Sequence, residues 1–313
     1  MSRLLYTIVL FALPVIVAAF HWHWLFAVLA VIALLVWRQV LVLGALGRRP
    51  AGAELELETL LPSHFSEKGR WTLDRLGVPY DERRMGGVIG VFFRGRTVPM
   101  LTVQTGRTRS SLCESSAILR FLYGRYLADP DVDTAWLEPT AERLEWEHRI
   151  DRYGVSQQVW IYHFLLKDPS LCKAAWGADS PGLPAWQRWA IKLLYPLLEG
   201  VVRRGFDPSP ENYRKAVKRT EALLASTEEL LVDGRKSLLS GDTSDFVDLT
   251  LASLSAFWLE PPEFAAGAYE VERIPREQQP EGLIADAMRW RENYPATTAH
   301  LERLYREERM TMS

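Results

Sequence analysis

Two short clusters hold the residues whose types and spacing suit chemistry. Ser63 and Ser66 stand three residues apart at the head of an amphipathic stretch, Glu67 to Leu76, and Glu114-Ser115 heads another, Ser115 to about Leu127. A hydroxyl in such a place can accept a hydrogen bond from an unpaired amide of the first turn, a cap worth about 1 kcal/mol. It can also meet a ligand there, because the free N–H groups and the dipole of a helix start favour a carboxylate. Both uses are open at Ser115, and the cap reading is open at Ser63 and Ser66. Cys113 and Cys172 lie far apart and form neither a disulfide framework nor a zinc spacing. No role falls to Cys113.

The elements that must position these residues follow from periodicity. Leu55, Leu57 and Thr59 alternate with Glu54, Glu56 and Glu58, the two-residue period of a strand. A Ser-His-Phe-Ser turn leads into the helix 67–76, with Gly77 placed to end it. Val78-Pro79-Tyr80 begins a second strand, a loosely helical stretch surrounds residues 88–93, and a third strand runs over 97–102. Thr105-Gly106-Arg107 signals a turn before the helix that starts at Ser115. The order β-α-β-α-β-β-α over 55–127 predicts a compact α/β domain.

Three blocks give that domain a resemblance. Ser63-His64-Phe65-Ser66 with Arg70 to Tyr80, then Val98-Pro99-Met100-Leu101, then Glu114-Ser115-Ser116-Ala117-Ile118 resemble, in order and spacing, the thioredoxin-like N-terminal domain of the glutathione S-transferase superfamily. The resemblance implies that the Val98–Pro99 bond is cis and turns the Val98 backbone toward the cysteinyl unit of glutathione. It implies that Ser115 receives the γ-glutamyl carboxylate and Glu114 the ammonium group. It implies that Ser63 is the catalytic residue, its hydroxyl and the following helix dipole stabilising the glutathione thiolate. Ser66 is the runner-up. His64 departs from the family, which commonly has proline after the catalytic residue. A serine at 63 favours conjugation, where a cysteine would support thiol–disulfide exchange.

Beyond the connector at Asp129-Pro130-Asp131 and Pro139, apolar residues recur at three- and four-residue spacing. Helices are predicted over 141–166, 183–204, 210–231, 245–258 and 282–306, an all-α domain spanning 128–313. Long loops are predicted over 169–184 and 260–280. Ser240 to Leu249 resembles the block that opens a buried helix in the family's second domain. Asp245 serves there as N-cap and Asp248 lies near the positive end of the dipole. Trp146, Tyr153, Trp160 and Tyr162 share one predicted helix; such a stripe suits core packing or the wall of a pocket for an electrophile.

Residues 1–46 form a predicted membrane anchor, and 47–54 a linker. Leu4 to Phe20 carries no formal charge, and Leu25 to Trp37 is wholly apolar. One straight helix over 4–46 would be roughly 65 Å long, about twice the bilayer core. A helical hairpin turning at His21 to Trp24 therefore fits, with Arg3, Arg38, Arg48 and Arg49 on one side, expected to be cytoplasmic. A single span, with or without signal cleavage near Val17-Ala18-Ala19, stays open. The expected localisation is thus a membrane.

A formal charge of −2 over 313 residues leaves no basic surface for nucleic acid. The resemblance implies a membrane-anchored glutathione transferase that joins glutathione, its co-substrate, to apolar electrophiles, without a metal. It also implies a homodimer as one form of the chain. The alternative is a non-catalytic membrane interaction protein of the same fold, metaxin-like or channel-like.

Overall fold

The computed structural model describes residues 24, 28, 29, 31–33, 35, 36, 54–60, 62–86, 98–106, 108–239, 241–267 and 274–309. The chain divides into two units, residues 1–52 with 93–95, and residues 53–92 with 96–313. In the first unit the described residues, among them Trp24, Leu29, Ile32 and Val36, are helical and exposed. The predicted hairpin over 1–46 and linker over 47–54 otherwise lie outside the described residues, as does the helical stretch at 88–93.

The membrane localisation is corrected. A span needs about 20 consecutive apolar residues, and among the described residues no helix is long and apolar enough to cross a membrane. Among the described residues, the strongly apolar helix Phe246–Leu259 has only 14 residues and is buried almost throughout.

The second unit begins with strand β1, Leu55–Leu60, helix α1, His64–Leu76, and strand β2, Asp81–Met85. Strands β3, Met100–Thr105, and β4, Thr108–Cys113, follow, then helix α2, Ser115–Tyr126. The sheet order is β2-β1-β3-β4. β1 lies parallel to β2, as a crossover through α1 requires, and antiparallel to β3. Leu57 pairs with Leu101, and both are wholly buried. Gly106, at φ 59, makes the β3–β4 turn without a Cβ penalty. This mixed sheet with its helices fits the expected thioredoxin-like arrangement, and helices dominate the rest.

Those helices are α3, Ala141–Leu165; α4, Pro169–Ala175; α5, Ala185–Phe206; α6, Pro210–Leu231; α7, Phe246–Leu259; α8, Glu281–Asn293; and α9, Pro295–Arg303. α4 corrects the loop expected over 169–184. Its start carries a sequence signal: Asp168 accepts from the amides of Ser170 and Leu171, and Pro169 needs no amide partner. α7 opens on the expected cap, with Val247 N donating to Asp245 at 2.7 Å and Asp245 N donating to Asp248 at 3.0 Å. The helix predicted over 282–306 breaks between α8 and α9, where Pro295 has no amide to continue the ladder.

α7 lies against both α1 and α3 and joins the sheet region to the helical region. The approach at Gly154 is so close that a Cβ there would stand 2.7 Å from a Leu254 methyl and 2.9 Å from Phe65. Trp71, Trp160, Trp258 and Trp290 are fully buried. Each removes about 150–250 Å² from water, on the order of 4–6 kcal/mol of transfer free energy. Arg75, at the end of α1, donates to the Ser244 carbonyl at 2.8 Å and stacks over Trp136. The two regions are therefore held by polar ties as well as by the core.

Candidate functional site

Five of the six site residues singled out from the sequence meet at a cleft of about 670 Å³. Ser63 arrives at the head of α1, Val98 and Pro99 at the turn before β3, and Glu114 and Ser115 at the start of α2; all five line the cleft. The Val98–Pro99 peptide is cis, as expected. α1 passes beside that turn at Gly69, where a Cβ would stand in ordinary van der Waals contact with the Pro99 ring at 3.6 Å.

Ser63 is the N-cap of α1. Its backbone is extended, and its Oγ accepts the Ser66 amide at 3.2 Å. A hydroxyl that accepts still has its own proton to donate, and here that proton sits at the positive end of a 13-residue helix. Ser66 is placed differently. Its side chain is fully buried, its Oγ accepts the Leu60 amide at 3.2 Å, and it is not among the cleft residues. Of the two serines, only Ser63 lines the cleft.

At α2 the cap position belongs to Glu114, and Ser115 is the first helical residue. The cap reading of Ser115 is thereby corrected. Glu114 holds a left-handed φ of 78 and its carboxylate caps nothing. The first amides of α2 thus have no side-chain cap, beside an exposed carboxylate. Such an end suits a ligand that carries both a carboxylate and a cation.

Below this end lies a network that sequence reasoning missed. Lys68, on α1, is wholly buried. Its ammonium contacts Glu147 at 2.8 Å, Ser116 at 2.9 Å and Asp151 at 3.0 Å. Ser116 donates to the second Asp151 oxygen at 2.6 Å. Arg120 approaches Glu147 at 3.7 Å and stacks over Phe246. Two cations and two carboxylates balance, as buried charges must. The network fixes α1, α2 and α3 to one another directly under the cleft, where Ser116 and Asp151 form part of the wall. Burial of Lys68 is not legible from periodicity, since a lysine on an amphipathic helix is ordinarily solvated.

His64 follows Ser63 and is fully buried between Phe65 and Phe257, with ring centroids 4.5 and 4.3 Å away. Its Nε2 lies 2.9 Å from the Gly154 carbonyl. A carbonyl only accepts, so Nε2 carries the proton. Burial lowers the pKa of His64 to about 4, against the opposing effects of the Gly154 bond and the Asp151 charge. The imidazole is neutral at physiological pH and ties the Ser63 turn to α3.

One face of α3 lines the cleft along its length and changes character on the way. His148, Asp151 and Arg152 stand at the end nearer Ser115, whereas Ile161, Tyr162 and Leu165 stand at the other. Val202 and Phe206 of α5 complete the apolar end, where Phe206 stacks on Tyr162, and Phe264 adds a further apolar residue to the lining. Of the aromatic stripe on α3, Tyr153 and Trp160 are core and Tyr162 is cleft wall, stacked on Phe206. Neither cysteine takes part: Cys113 is half-buried, and burial pushes the Cys172 thiol up to about 12. Among the described residues no cluster of His, Cys, Asp or Glu could hold a metal ion.

No family model matches the chain, and no curated protein matches it. Solved structures do. A glutathione transferase family member from Pseudomonas fluorescens, with two glutathione bound, is 16% identical over 87% of this chain and 96% of its own, with a TM-score of 0.47. A glutathione transferase from Burkholderia graminis, with two glutathione molecules per subunit, is 16% identical over 84% of this chain and 89% of its own, with a TM-score of 0.47. A glutathione S-transferase from Methylobacterium radiotolerans, in complex with glutathione sulfonate, is 17% identical over 82% of this chain and 92% of its own, with a TM-score of 0.49.

Proposed function

We propose that this chain is a glutathione transferase that binds glutathione at the polar end of the cleft and joins its sulfur to an apolar electrophile held at the other end. The observation that carries the reading is convergence: Ser63, Val98, Pro99, Glu114 and Ser115, separated by up to 52 positions, line one cleft.

Each group then has a task. The uncapped amides at Ser115 take the γ-glutamyl carboxylate, and Glu114 takes the ammonium group. The Val98 backbone pairs with the cysteinyl unit. The Ser63 hydroxyl donates to the sulfur, and the α1 dipole favours its ionised form. The thiolate attacks the electrophilic carbon and a carbon–sulfur bond forms; in a substitution the leaving group departs with its electron pair. Residues 55–127 supply the glutathione end, and residues 128–313 most of the electrophile end.

Support for conjugation over thiol–disulfide exchange comes from the serine at 63, which cannot form a mixed disulfide. Titration calorimetry of the full chain with glutathione, followed by turnover with 1-chloro-2,4-dinitrobenzene, tests the proposal. Saturable binding that Glu114→Ala weakens is expected. A wild-type chain with no saturable glutathione binding removes it.

A further inference from the structure

A second buried carboxylate lies behind another part of the cleft wall. Glu67 lies on α1 four residues after Ser63 and is fully buried. Its Oε1 accepts from the Ala265 amide at 3.1 Å and from Arg309 Nε at 2.8 Å. Arg70 approaches its other oxygen at 3.4 Å. Arg309 comes from the C-terminal turn Leu304–Arg309, is itself buried, and donates from Nη1 to Asp74 at 2.7 Å. It therefore spans two carboxylates on the helix that begins at Ser63.

The residue that Glu67 holds is unusual in its backbone. Ala265 and Ala266 both have φ 54, a left-handed conformation that L-residues with a Cβ adopt only when held. Phe264, directly before them, is part of the apolar wall of the cleft. One carboxylate thus connects the Ser63 helix, the strained turn behind Phe264 and the end of the described chain.

We infer that Glu67, locked by Arg309, is a positioning residue for the apolar wall of the cleft at Phe264. Through the Ala265 amide it sets how far Phe264 stands from the Ser63 turn, and so which apolar ligands fit, without touching them. This rests on the reading of the cleft as a site for glutathione and an apolar ligand. The fixed charge matters because a neutral acceptor would leave buried Arg309 with Asp74 as its carboxylate partner and loosen its hold on residue 67.

The test uses the full chain, Arg309→Met and Arg309→Lys, with amide hydrogen exchange read by peptide and two probes, glutathione and 8-anilinonaphthalene-1-sulfonate. In Arg309→Met, exchange at 264–267 is expected to rise about tenfold while α2 stays unchanged. Binding of the anilinonaphthalene probe falls about fivefold and glutathione affinity holds. Arg309→Lys restores most of both effects, because an ammonium still reaches Glu67. A uniform rise in exchange, or equal losses for the two probes, overturns the inference. Should Arg309→Met not fold, Glu67→Gln replaces it: the same localised exchange supports the inference and uniform exchange overturns it. If wild type binds no glutathione, the functional reading fails by itself, and the exchange arm still decides this inference.

Discussion

Ser63 Oγ accepts the Ser66 amide at 3.2 Å, so the hydroxyl proposed to hold the thiolate is also the cap of its own helix. The two uses engage different parts of the group, a lone pair for the amide and the proton for the ligand.

Removing that hydroxyl has two separable effects. Ser63→Ala is expected to lower conjugation about 100-fold, the scale for losing one donor to a developing anion, while leaving glutathione affinity nearly intact. It also costs about 1 kcal/mol of stability through the lost cap. Ser66→Ala loses a bond to the Leu60 amide and about 1 kcal/mol, with turnover unchanged. Denaturant melts beside steady-state kinetics separate the two; loss of turnover only in Ser66→Ala would reverse the assignment.

Glu114 sets stability against binding. At φ 78 it occupies a conformation that glycine adopts without steric cost. Glu114→Gly is expected to raise stability by up to about 1 kcal/mol while weakening glutathione binding about tenfold through loss of the carboxylate. Glu114→Ala weakens binding similarly without the gain. A calorimetric titration and a thermal melt on each variant suffice.

His64 makes stability pH-dependent. Its folded pKa, about 4, lies below the ordinary value of 6.5, so below 6.5 the unfolded chain binds a proton that the folded chain refuses. Stability from this group is complete above pH 6.5 and is lost as pH falls toward about 4, by on the order of 3 kcal/mol in all. His64→Phe should flatten the slope of unfolding free energy between pH 6.5 and 4. An unchanged slope would place the titration elsewhere.

Gly154 tests the α3–α7 contact. An added methyl would meet Leu254 at 2.7 Å and Phe65 at 2.9 Å, so Gly154→Ala is expected to cost about 1–3 kcal/mol. It should also displace the carbonyl that orients His64. Chemical denaturation measures the first effect, and a shifted acid limb of the stability profile the second.

Much of this arrangement was legible in the sequence because local patterns carry it. The alternation at Leu55, Leu57 and Thr59 marked β1, Thr105-Gly106-Arg107 marked the β3–β4 turn, and Asp245 to Asp248 marked the start of α7. Strand edges were less legible: β2 begins at Asp81, after the run Val78-Pro79-Tyr80 that suggested it, because Pro79 has no amide to give a ladder. The convergence of Ser63 with Glu114 and Ser115 followed from the order of three blocks. The network at Lys68 did not, since Glu147 and Asp151 lie 79 and 83 positions away and pair only once α3 is packed. Arg309 with Glu67 is a longer case, 242 positions apart.

The single face that α3 gives to both ends of the cleft makes this helix a ruler. Asp151 and Tyr162 are eleven positions apart on one unbroken rod, which at 1.5 Å per residue separates them by roughly 16 Å. A small one-ring molecule cannot reach from mark to mark. A wall of that span has room along α3 for an elongated guest, or for two guests laid end to end.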